Sequence, residues 1–105
     1  MSLAADIAAA VDAYYAHITA SAAKRGRRPE WPYVPIVVYG PTEGCPRGYT
    51  QQIRARAYAT RAEALAAAEQ HIARGREALA ADLADPRKRA LREQHGLPRD
   101  LDPAR

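Results

Sequence analysis

Phenylalanine is absent from this 105-residue chain, and alanine dominates its apolar fraction while large aliphatic side chains are few. Alanine burial yields little transfer free energy, so the core must be thin and its helices closely approached. Part of the stability is therefore expected from a partner or a second copy. A chain of this length buries roughly 65% of its unfolded surface, enough for one modest core and for no deep enclosed active site. The single cysteine, Cys45, excludes an internal disulfide and any multi-cysteine zinc site, and it fits a reducing, cytoplasmic setting. Asparagine is missing too, and only Lys24 and Lys88 of the 16 basic residues are lysines. That is the composition of a GC-rich genome, which competes with any functional account of the arginine excess. No membrane span is expected: the first apolar stretch carries Asp6, Asp12 and His17, and a carboxylate at mid-bilayer costs about 3 kcal/mol. The basic residues there follow the apolar part, the wrong polarity for a secretory signal. Internal repeats and family signatures are likewise lacking.

What is present is organised around Tyr49–Ile72, YTQQIRARAYATRAEALAAAEQHI. Up to Thr60 the apolar residues alternate, with Ile53, Ala55, Ala57 and Ala59 on one side and Gln52, Arg54, Arg56 and Tyr58 on the other. A period of two predicts a strand with one covered and one open face. Beyond Thr60, Leu65, Ala68, Ile72, Leu79 and Leu83 recur at helical spacing. Thr60 followed by Glu63 is a capping box.

The rest of the chain falls into place around that junction. Leu3, Ile7, Val11, Tyr14 and Ile18 share one arc at 100° per residue, which predicts a helix over 3–24 with Ser2 as its cap and Gly26 as its stop. RGRRPEWPY, residues 25–33, is a cationic linker. VPIVVY, residues 34–39, is a β-branched strand apolar on both faces, and Pro35 places its start at an edge or a bulge. A long Gly- and Pro-punctuated loop then returns the chain into a strand over 49–59. Helices follow over 61–84 and 86–95, the last begun by Asp85-Pro86 and closed by Gly96. The expected fold is a single α+β domain over residues 1–98, in the order α-β-β-α-α. A two-stranded antiparallel hairpin packs on two helices, a short C-terminal helix follows, and 99–105 form a tail. Because Gly75 and Arg76 interrupt the leucine stripe, the second helix is expected to bend there or to project its last turns from the core.

Chemistry-bearing groups are sparse. Cys45 has Arg47 nearby, but no base stands at a diagnostic spacing, so it reads as an incidental loop thiol. His17, His71 and His95 lack the i, i+4 spacing of metal ligands. Glu63 caps a helix, while Glu69 and Glu77 read as solvated or ion-paired surface groups. No phosphate loop occurs. No catalytic, cofactor or metal site is expected. The remaining signal is cationic and aromatic: Lys24, Arg25, Arg27 and Arg28 form one cluster, Arg54, Arg56 and Tyr58 a second, and Lys88, Arg89 and Arg92 a third. Trp31, flanked by prolines, is the expected exposed anchor, since Trp, Tyr and Arg are the residues that anchor interfaces.

These features point to a non-enzymatic binding protein of the adaptor or inhibitor type, docking on a larger macromolecular partner. Phages and mobile elements often carry accessory proteins of this build, an analogy at the level of fold alone. The alternative is direct DNA or RNA binding through the Arg54, Arg56 and Tyr58 strand face and the two flanking basic clusters, since Arg beside an open aromatic suits phosphate contact with base stacking. A homodimer through a free strand edge is a further expectation.

Overall fold

A computed structural model describes residues 2–53 and 56–94. Along the chain run α1 (Leu3–Tyr15), β1 (Ile18–Ala23), β2 (Val34–Tyr39), β3 (Tyr49–Gln52), α2 (Arg61–Ala84) and α3 (Pro86–Gln94). The class is α+β, with one three-stranded antiparallel sheet in the order β1-β2-β3.

The first helix is shorter than its apolar arc predicts. It stops at Tyr15, and Ile18–Ala23 is a strand rather than two further helical turns. The cause is tertiary. β2 is apolar on both faces, so its two backbone edges must be hydrogen-bonded, and ITASAA supplies uncharged, alternating residues to one of them. Ile18 stands opposite Tyr39 and Ala23 opposite Val34. Ile18, Ala20 and Ala22 share the helix-covered face with Pro35, Val37 and Tyr39, because antiparallel partners point the same way. Lys24, Arg25 and Gly26 thus lie beyond a strand, not at a helix end. The Gly26 amide donates to the Pro32 carbonyl at 2.8 Å, and any Cβ there would strike the Trp31 carbonyl oxygen. β2 is covered on both sides: Val34 and Ile36 are 4% and 6% exposed although they face away from Val37.

The long strand expected over 49–59 also stops early, at Gln52. Ile53 still donates to the Pro35 carbonyl at 3.1 Å, but Pro35 has no N–H to return, so the ladder loses its next rung. Continuing the register that pairs Ile36 with Gln52 would set residue 55 opposite Tyr33. Tyr58 stands there instead, three residues later, with reciprocal bonds of 3.1 and 2.7 Å between the two backbones. The pairing therefore resumes out of register beyond Pro35, at the end of β2 where the sequence suggests a bulge or an edge. Arg54 and Ala55 lie outside the described residues, and of the proposed open strand face of Arg54, Arg56 and Tyr58 the two described members, Arg56 and Tyr58, are not in a strand. Arg56 is exposed in irregular chain, and Tyr58 is half-buried in the bridge to Tyr33.

α2 joins two layers. Its N-terminal half carries Ala64 and Ala68, both 0% exposed, and the helix packs beneath β1 and β2. Its C-terminal half places Leu79 and Leu83 against Ala10 and Val11 of α1, with Ile7, Tyr14, Tyr15 and Ala80 around them. Small residues permit the first contact and leucines fill the second. The expected projection of the last turns does not occur: α2 continues through Gly75–Arg76 and its end packs on α1, because Tyr15 crosses the helix there and its hydroxyl occupies the space a Cβ at Gly75 would need. Arg76 reaches α1, pairs with Asp12 and lies over the Tyr15 ring at 5.5 Å.

The predicted caps are in place. Ser2 Oγ accepts from the Ala5 amide at 3.1 Å, and Thr60 Oγ1 accepts from the Glu63 amide at 3.2 Å. The Glu63 carboxylate reciprocates through the Thr60 hydroxyl, which donates to it at 2.9 Å. Asp85 starts α3 by accepting from the Arg87 amide at 2.9 Å. His95, the Gly96 stop and the tail lie outside the described residues.

Candidate functional site

Three backbone connections build the site. Gly26 bonds Pro32, Arg28 pairs with Trp31 across a tight turn, and Tyr33 pairs with Tyr58. The cationic linker is thus folded back on itself and held beside the segment that leads into α2. Between them opens a cleft of about 310 Å³ lined by Trp31, Arg56, Ala57, Tyr58, Ala59 and Glu63.

Two guanidinium groups are laid on aromatic rings here. Arg28 sits 5.9 Å from the Trp31 ring centre and Arg56 sits 4.9 Å from that of Tyr58. Each contact favours one orientation of an exposed, flexible side chain through cation–π attraction, worth about 0.5–1 kcal/mol at such a site. Among the described residues the ion pairs formed are Arg76–Asp12 and Lys88–Asp82, so neither Arg28 nor Arg56 is spent on a carboxylate. Trp31 remains 47% exposed.

Segments 24–31 and 56–63, which meet here, hold six basic residues against two acidic ones, Glu30 and Glu63; α3 is a second basic stretch, with Arg87, Lys88, Arg89 and Arg92 against Glu93.

Of the residues singled out from sequence, Arg28, Trp31, Arg56 and Tyr58 come together, with Arg27 exposed in the same turn. Lys88 and Arg89 do not join them. They lie on α3, beyond the far end of α2 and about 33 Å along its axis from Glu63 at 1.5 Å per residue. Lys88 is engaged there with Asp82 at 2.5 Å. Arg92 is on the same helix, and Arg54 falls outside the described residues. Glu63, Ala57 and Ala59 line the cleft without having been singled out, because their spacing reads as helix cap and covered strand.

A second, smaller cavity of about 80 Å³ lies where α1, α2 and the sheet meet, lined by residues that include Tyr14, Tyr15, Tyr39 and His71. Tyr39 stacks on Tyr49 at 4.3 Å and donates to Gln51 Oε1 at 3.3 Å. Burial pushes the Tyr39 phenol above its ordinary 10.0, and the phenols of Tyr49, Tyr14 and Tyr15 push it the same way. Tyr15 is raised by burial first and by Tyr14 second, with the Arg76 charge opposing. These tyrosines come from three elements, and no local pattern announces their meeting.

Cys45 is half-buried in its loop, its amide donating to the Thr42 hydroxyl at 3.1 Å. Among the described residues no group of metal-ligating side chains gathers, and no helix is long and apolar enough to cross a membrane. Compared with protein-family models, with characterised proteins and with solved structures, the chain finds no match.

Proposed function

We propose that this chain is a small non-enzymatic binding protein of the adaptor or inhibitor type, which docks on a larger macromolecular partner through the Arg28–Trp31–Arg56–Tyr58 surface. One observation carries the reading: linker residues and residues that precede α2, remote in sequence, meet at one surface, where Trp31, Arg56 and Tyr58 line an open cleft, Arg56 lies over the Tyr58 ring and Arg28 lies over the Trp31 ring beside it. Interface anchors are drawn from these residue types and cluster in this way. The test is affinity capture from the native host with the parent chain and with Trp31→Ala and Arg56→Ala. A partner retained by the parent and by Arg74→Ala, but lost by both cleft variants, supports the proposal. Retention by all four places docking elsewhere.

A second reading, direct DNA or RNA binding, is favoured by the ring stacks and by the basic stretches of the linker and of α3. It requires retardation of nucleic acid that weakens steeply with salt and that Lys88→Ala and Arg89→Ala also diminish. No retardation at low salt removes it. Self-association through a strand edge belongs to the same proposal. The backbone groups of Thr50 and Gln52 point away from β2, since Tyr49 and Gln51 occupy the bonded positions. A mass that rises with concentration supports pairing there, and a strict monomer excludes it.

A further inference from the structure

We infer that the cleft receives an acidic segment of a partner protein, with carboxylates seated on Arg56 and Arg28 and the intervening chain packed on Trp31. This rests on the docking proposal above and names the chemistry of the partner.

The guanidinium edges argue for oxyanions. A ring-stacked arginine offers its N–H fork sideways, and that fork matches a carboxylate in bidentate fashion. Neither fork is occupied from within the described residues although Glu30 and Glu63 are close in sequence. Glu63 is turned instead to the Thr60 hydroxyl. An unpaired charge on an exposed side chain stays available for a partner, and its complement steers association.

Three features favour discrete carboxylates over a phosphate backbone. A nucleic-acid strand carries charge at every nucleotide and calls for a continuous cationic track. Here the cleft and the α3 cluster are about 33 Å apart along α2, and Lys88 of that cluster is already paired with Asp82. Glu63 forms part of the cleft wall, where a polyanion passing through would meet it, whereas a peptide can set its acidic residues to either side. The wall also includes Ala57 and Ala59, surfaces suited to aliphatic stems rather than to a row of phosphates.

The experiment uses the whole chain and defined probes: a fluorescent oligoglutamate peptide, its oligoglutamine counterpart and a single-stranded oligodeoxynucleotide of similar length. Oligoglutamate is expected to bind and oligoglutamine not to. Arg56→Ala should weaken oligoglutamate roughly tenfold or more, as expected for losing a charge-assisted hydrogen-bonded pair. Arg56→Lys, which keeps the charge and loses the fork, should fall between. Arg74→Ala, which removes the same charge from the middle of α2, should leave binding unchanged. Equal affinity of parent, Arg56→Ala and Arg74→Ala would mean diffuse attraction and overturn the inference. So would an oligodeoxynucleotide that binds more tightly than oligoglutamate with the same dependence on Arg56. Failure of the underlying proposal looks different. A captured partner that Trp31→Ala loses but oligoglutamate cannot displace leaves docking intact and removes only the acidic segment; one indifferent to both cleft variants removes docking itself. Circular dichroism of each variant confirms that the fold is retained.

Discussion

Gly75 is the residue on which the meeting of α1 and α2 turns. In a helix interior, glycine to alanine ordinarily stabilises by about 0.5–1 kcal/mol. Here the new methyl would meet the Tyr15 hydroxyl, so Gly75→Ala is expected to destabilise by about 1–3 kcal/mol, the cost of overpacking. In a Tyr15→Phe background the same change should become neutral or favourable. Urea denaturation of the four variants closes the cycle, and unchanged sign in both backgrounds would refute the contact. The phenols of Tyr15 and Tyr39 give a pH dependence. Their pKa values are raised on folding, so their contribution is fully present below the ordinary tyrosine value of 10.0 and is lost as pH climbs through the raised folded values. Ultraviolet titration should show part of the tyrosine absorbance ionising late, together with loss of structure. A single unshifted titration would contradict this. At this scale the sequence is readable where the interaction is local: Ser2, Thr60 and Asp85 cap the helices as their spacing implies. Gly75 is readable in part: with Ala64, Ala68 and Ala78 it forms a small-residue track that invites another helix to approach, but the Tyr15 hydroxyl it makes room for comes from that other helix.

The elements show the same divide between local and distant causes. α2 and β2 follow from periodicity and β-branching alone. The alanine-rich stretch after Tyr15 is compatible with helix or strand, and only the unfilled edge of β2 decides between them. The truncation of β3 has its cause in Pro35 on the neighbouring strand, so the alternation through residues 53–59 misleads although each residue obeys it. Gly48 is a further point of control. With φ of +64° and the Tyr39 carbonyl pressed against it, Gly48→Ala should cost about 1–2 kcal/mol for the left-handed backbone alone. Hydrogen exchange should be fastest within β3 at Thr50 and Gln52 and slower at Gln51, whose amide bonds β2. Equal rates along the strand would mean that the register is wrong.

Across the whole molecule, a positive balance is plain from composition, but the meeting of the two basic segments 24–31 and 56–63 is not, because they are joined only where Tyr33 pairs with Tyr58. That juxtaposition separates binding from stability. Arg56→Ala removes an exposed side chain and should alter unfolding free energy by no more than about 0.5 kcal/mol. Association of the captured partner with the same variant should slow, and the difference from the parent should shrink as salt shortens the screening length below about 10 Å. Comparable slowing by Arg89→Ala would spread the site over both ends. The offset of three residues opposite Tyr33 has a consequence for descent and for engineering alike. Since Pro35 has already released the chain from its neighbour, the span between Ile53 and Tyr58 can lengthen, shorten or change its side chains while every rung below it stays put. Related chains are expected to differ most there, and new specificities are best grafted into that span, with the three strands serving as an indifferent frame.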